Sequence, residues 1–196
     1  ESSTAANLVQ AKGFETDPAD FLAACVGSGS CPIGSTDSAA MSGLDALIAQ
    51  ITAHPLDSNG RVVGAGEFFE GLAGGLYSTA AWPQLQSALG AAKDGNAAGI
   101  LLFADSLTER NSDGTYDNLI ESNLAISCVD RPSPRSVSTY EQNAAKFKKV
   151  APHFGAPIEY GSMPCAFWHV PPVEAPHPVT APGAPPILVI GTTRDP

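Results

Sequence analysis

The segment Pro186-Ile187-Leu188-Val189-Ile190-Gly191 constrains this chain more than any other. A continuous β-branched and apolar run bounded by proline and glycine is the pattern of a strand buried on both faces of a parallel sheet. It comes last, after a stretch that is helical in character for about two thirds of the 196 residues. Helices followed by a single buried strand fit a helical insertion ahead of the next strand of a parallel sheet better than a free-standing bundle. The expected fold class is therefore α/β, dominated by a helical lid over residues 1–124. Residues 125–196 then return to a core sheet and contribute one or two of its strands. The chain begins at Glu1 without an initiator Met and stops at Pro196 straight after the strand-like run. Both ends read as internal to a longer polypeptide.

Helical periodicity runs through residues 4–26, with Leu8, Val9, Phe14, Phe21 and Leu22 as apolar positions and Asp17-Pro18 suited to a first helical turn. Leu44, Leu47, Ile48 and Ile51 make one stripe of a helix over 42–53, which His54-Pro55 ends. Further helices are expected at 65–77, 81–93, 96–109 and 117–125, with 61–63 as a short extended piece. Ala125 to Val129 reads as a strand or a buried turn. Another helix follows at 139–151, and the proline- and aromatic-rich residues 152–186 read as irregular chain wrapped over a surface.

Composition excludes several function classes. Hydrophobic residues make up 43% and charged residues 15%, so the chain can build a core and is not disordered. A net charge of −10 argues against nucleic acid, whose phosphates call for basic residues. It suits a cationic ligand such as a peptide's ammonium end, although solubility is the plainer use of such charge. No apolar run is long enough to span a membrane. Cys25 and Cys31 flank a flexible Val-Gly-Ser-Gly-Ser linker, which leaves Cys128 and Cys165 to pair across a longer loop. Two disulfides in an oxidising compartment are expected, with free buried thiols as the alternative. None of His54, His153, His169 and His177 lies beside a cysteine pair, there is no phosphate loop, and the 109–120 stretch lacks the closing Glu of a calcium loop. Neither a metal nor a cofactor is implied.

Asp195 follows the apolar run in the turn Gly191-Thr192-Thr193-Arg194-Asp195-Pro196. Catalytic groups gather at the carboxyl ends of parallel strands, where a carboxylate can orient a histidine that deprotonates a serine. By position alone an Asp before Pro after a strand is more often a turn or helix cap.

Three segments in order carry a resemblance. Leu76-Tyr77-Ser78 ahead of Trp82-Pro83-Gln84-Leu85, then Ala125-Ile126-Ser127-Cys128-Val129-Asp130, then Pro186 to Pro196 are together similar to the secreted actinobacterial tripeptidyl aminopeptidase and carboxylesterase branch of the α/β-hydrolases. The resemblance implies a serine hydrolase, most simply an aminopeptidase releasing tripeptides from free amino termini. Asp195 would be its triad carboxylate. Family order is Ser, Asp, His. No serine here stands in a Gly-x-Ser-x-Gly frame, and no histidine matches the base. Those two groups are expected on the remainder of the polypeptide, and this chain alone would be inert.

Asp130 and Glu121 are candidates to hold the substrate's ammonium, with a structural pair between Asp130 and Arg131 or Arg135 as the alternative. Trp168, with Phe167 and His169, would line the cleft or pack the wrapping segment onto the core. The implied location is secreted or in the cell envelope. An esterase or lipase on the same scaffold and a non-catalytic lid or binding module are the competing functions.

Overall fold

The structure, a computed structural model, describes residues 2–171, 177–178 and 180–191. Two compact units emerge, one formed by residues 16–120 and the other by 1–15 with 121–196. The first helix therefore belongs with the C-terminal segment, whereas the sequence grouped all of 1–124 together.

The 16–120 unit is built from α2 (Asp17–Gly27), α3 (Asp37–Ala53), the antiparallel hairpin β1 (Leu56–Ser58) and β2 (Arg61–Val63), α4 (Ala65–Leu76), α5 (Trp82–Lys93) and α6 (Ala98–Leu107). Local chemistry explains most of the boundaries. Pro18 and Pro83 sit in the first turns of α2 and α5, where a missing N–H costs nothing. Thr36 caps α3 by accepting from the Ala39 amide, and Glu67 reaches back to the Gly64 N–H at the start of α4. Asn59 and Gly60 both take positive φ in the hairpin turn, as a two-residue reversal requires.

The core of this unit is Phe21, Leu22, Leu44, Ile51, Leu72, Leu85, Leu89 and Ile100, each at most 2% exposed. Helices α4 and α6 approach closely because Gly71 has no side chain. A Cβ there would lie 2.5 Å from the Ile100 carbonyl oxygen. The disulfide Cys25–Cys31 closes the loop after α2.

The second unit comprises α1 (Ser3–Phe14), α7 (Leu119–Asp130, whose first two residues belong to the other unit), α8 (Val137–Phe147) and α9 (Gly155–Gly161), followed by a 3-10 turn at Met163–Phe167. Ala11, Phe147 and Ala151 form its apolar centre with Leu8 and Ile158 packed against them. Phe14 stacks on Phe154 with ring centroids 5.3 Å apart. The disulfide Cys128–Cys165 joins α7 to the 3-10 turn. Both expected disulfides are thus present.

Three expectations are corrected. Ala125 to Val129 is neither strand nor turn but the second half of α7, because a five-residue apolar run carries no period of its own. Part of 152–186 is regular, as α9 and the 3-10 turn. Residues 187–190 form no strand: Ile187, Leu188, Val189 and Ile190 are 79–86% exposed and, among the described residues, no ladder pairs with them. A parallel strand exists only beside neighbours, and the two strands among the described residues are used up in the hairpin.

Candidate functional site

Asp195, the expected triad carboxylate, lies outside the described residues, as do residues 172–176, 179 and 192–194. The other candidates fall on the second unit. Glu121 and Asp130 are both exposed and stand nine residues apart on α7. At 1.5 Å per residue that is about 13 Å along the helix axis, too far for both to grip one ammonium. Asp130 forms no ion pair with Arg131 or Arg135 among the described residues. Arg135 instead donates to the Trp168 carbonyl.

The Cys128–Cys165 bridge draws together the segments that carry Asp130 and Trp168, two and three residues beyond its cysteines. Trp168 is partly buried, and its indole Nε1 has no hydrogen-bond partner among the described residues. Buried N–H groups are seldom left so. Arg135 and Trp168 thus meet, and the disulfide ties the end of α7 to the turn before Trp168.

Two polar centres of this unit escaped the sequence. Glu159 on α9 is fully buried, and its two carboxylate oxygens accept from Asn7 Nδ2 at 3.0 Å and Asn143 Nδ2 at 2.9 Å. Neutral amides satisfy the charge where burial alone would make it costly. Tyr140 is also fully buried, and its phenol is pushed up first by burial and then by the Glu159 carboxylate, with Arg135 and Ser133 pulling it back. The second centre is Glu15, which follows α1. Its Oε2 accepts from the backbone N–H groups of His153 and Phe154 at 3.0 and 3.2 Å, while Oε1 meets His153 Nδ1 at 2.5 Å.

In the 16–120 unit, Arg61 on β2 grips Asp105 on α6 through two bonds of 2.7 Å, and Arg110 approaches the same carboxylate at 3.8 Å. The Arg61 hydrogen bond holds Asp105 below the usual carboxylate range against the opposing effect of burial. Glu70 shifts the other way. Burial raises it first, and the neighbouring charges of Glu67 and Asp105 add to that.

A carboxylate raised in the folded state binds its proton more tightly there than in the unfolded chain. Stability therefore falls as pH climbs from its ordinary value near 4.5 through the raised one. Replacing Glu70 with Gln removes that loss. Thermal denaturation of E70Q should show a higher Tm than wild type at pH 7 and no gain at pH 4.

The same unit carries an apolar groove of about 630 Å³ between α5 and α6, lined by residues that include Pro83, Ala88, Ala91, Leu102 and Phe103. Its two polar lining side chains are already engaged. Ser87 donates to the Pro83 carbonyl at 3.0 Å, and Gln84, with its amide nitrogen turned inward, donates to the carbonyls of Ala81 and Ala80 at 3.1 and 3.2 Å. Among the described residues, no charged side chain lines the groove.

Comparison with known proteins fits this frame. Residues 151–196, from the α8–α9 connection to the chain's last residue, match the family described as TAP-like protein. Carboxylesterase B of Mycobacterium tuberculosis is 32% identical over 195 residues, 97% of this chain and 38% of that protein. Serine protease Hip1 of the same species is 30% identical over 202 residues, 97% of this chain and 39% of its own length. The chain thus spans less than two fifths of the relatives it matches. One class unites these matches, the serine hydrolases on an α/β-hydrolase scaffold. The chain is similar to members of that class over nearly its whole length, and residues 151–196 match the TAP-like family.

Proposed function

We propose that this chain is the cap and the acid-bearing segment of a longer secreted or cell-envelope serine aminopeptidase. In that enzyme a serine on the remainder of the polypeptide attacks the scissile carbonyl, and a histidine takes its proton and returns it to the leaving amine. Asp195 accepts the histidine's Nδ1–H, fixes its tautomer and stabilises the imidazolium. The helices of 16–120 act as the cap that limits how much peptide enters. Asp130, two residues beyond Cys128 of the Cys128–Cys165 bridge, holds the substrate's ammonium. Glu121 is too far along α7 to share that task.

The observation that carries this reading is the alignment of nearly the whole chain with a relative named as a serine protease, together with the TAP-like segment that contains Asp195. The two disulfides support an oxidising location outside the cytoplasm. Tripeptide anilides with free and N-acetylated amino ends test it on the full-length enzyme. The free substrate should turn over at least about 100-fold faster by kcat/KM, the range expected when a buried polar contact is lost. Equal rates would remove the aminopeptidase assignment.

An esterase is the second reading, and two observations favour it. A relative at 32% identity is named carboxylesterase. The α5–α6 groove has spent its hydrogen-bonding groups internally, so it suits a hydrocarbon chain better than a peptide backbone. Under this reading, lengthening the acyl chain of a p-nitrophenyl ester should lower KM, and L102D in the groove wall should abolish that trend.

A further inference from the structure

The charge of this chain is unevenly divided. Residues 16–120 hold twelve Asp and Glu against three Lys and Arg, a net −9, whereas the 1–15/121–196 unit holds eight against seven, a net −1. Four of the five lysines fall in that second unit, and three of them stand within Lys146-Phe147-Lys148-Lys149. Lys146, Lys149 and Val150 follow the i, i+3, i+4 spacing of one helical side, continued past α8 as the Lys149 N–H donates to the Lys146 carbonyl at 3.1 Å. Phe147 is buried against Ala11 and Ala151, and Lys12 follows Ala11 in the last turn of α1. That apolar contact brings Lys12 to the same end of the unit.

All four lysines are exposed, as is Val150 at 51%. The ion pairs among the described residues are made by Arg61, Arg110 and His153 and take none of these lysines. Lys93, the fifth, is engaged in the other unit, where it donates to the Pro32 carbonyl at 3.0 Å. One lysine in the last turn of α1 and one in that of α8 complement the helix dipoles. Two more directly beyond α8, beside an exposed valine, exceed that need.

We propose that Lys12, Lys146, Lys148 and Lys149, with Val150, form a docking surface for a lipid bilayer that presents anionic phosphate headgroups. Charge complementarity and the valine select this partner. The ammonium groups meet headgroup phosphates while Val150 enters the boundary beneath them, a pairing that a polyanion in solution leaves half unused. The same surface repels the net −9 of residues 16–120, so attachment runs through the lysines and is weak and reversible. It is peripheral, since no helix of the described residues is long and apolar enough to cross a membrane. The docking surface goes beyond the hydrolase reading, and its binding is measured without any activity.

Co-sedimentation of the full-length polypeptide with vesicles tests it. The probes are phosphatidylglycerol vesicles and phosphatidylcholine vesicles at millimolar lipid and low salt, with soluble inorganic polyphosphate as a third arm. Wild type should bind the anionic vesicles and not the neutral ones, and about 1 M salt should release it by shrinking the Debye length to about 3 Å. Each Lys→Gln change should lower the partition constant by roughly fivefold, and K12Q/K146Q/K148Q/K149Q by on the order of a hundredfold or more. The four-arginine variant K12R/K146R/K148R/K149R should bind like wild type, and Lys93→Gln should change nothing. Val150→Ser should weaken vesicle binding severalfold through its lost apolar burial. Failure of wild type to bind the anionic vesicles, equal binding to neutral ones, or full binding by the four-glutamine variant each overturns the surface. Binding to polyphosphate without binding to vesicles overturns it too, because the lysines would then serve a soluble polyanion.

Discussion

Asp195→Asn in the full-length enzyme should lower kcat by about 10⁴-fold while KM changes little, the size of effect seen when a triad histidine loses its orienting carboxylate. The asparagine is nearly isosteric, but it presents an N–H where the histidine needs an acceptor, so the imidazole settles in the wrong tautomer. An effect on kcat with KM preserved marks an interaction made only in the transition state. Activity should recover partly at high pH, where hydroxide substitutes for the base. Steady-state kinetics against pH on a tripeptide anilide would measure both. A fall of less than tenfold would make Asp195 the turn cap that its place before Pro196 also permits.

Removing the Cys128–Cys165 bridge should cost about 4 kcal/mol, because it closes a loop of 37 residues. The corresponding fall in Tm is roughly 10 °C for a chain of this size. The Cys25–Cys31 bridge spans only six residues and should matter less. Calorimetry on C128S/C165S and C25S/C31S, compared under oxidising conditions, would rank the two. The larger loss also has a functional side. Cys128 and Cys165 hold together the end of α7 and the turn before Trp168, so C128S/C165S should raise KM for free-amine peptides through Asp130 and Trp168, whereas C25S/C31S should leave KM alone.

Much of the helical part was legible because its signals are local. Pro18 and Pro83 mark helix starts, His54-Pro55 marks an end, and the stripe Leu44, Leu47, Ile51 is buried in α3 as its spacing requires. α7 was harder, since its apolar residues do not share a face. Leu119, Ile120 and Ile126 are exposed while Cys128 is buried. The run 187–190 carries the pattern of a buried strand and yet stands exposed, because burial of a strand is decided by its neighbours and not by its own residues.

The candidate site was less legible than the fold. The polar centres of the same unit depend on pairs 138 to 155 positions apart, such as Glu15 with His153, Asn7 with Glu159 and Asn7 with Ser162, which no periodicity can announce. The sequence offered Asp130, Glu121 and Trp168 as candidates but gave no sign of the distance that separates Glu121 from Asp130 along α7. Nor did any local signal single out Glu159, a carboxylate buried among amides. A lone Glu following Pro157 and Ile158 looks like any solvent-facing residue of a short helix.

Labelling with a fluorophosphonate, followed by peptide mapping of the full-length polypeptide, tests the central claim most directly. A serine hydrolase of this branch should give one covalent adduct on a serine in a Gly-x-Ser-x-Gly frame, which residues 1–196 do not contain, and Asp195→Asn should slow its formation. Absence of any adduct, or an adduct on a serine within residues 1–196, would contradict the assignment of this chain as the cap and acid of such an enzyme.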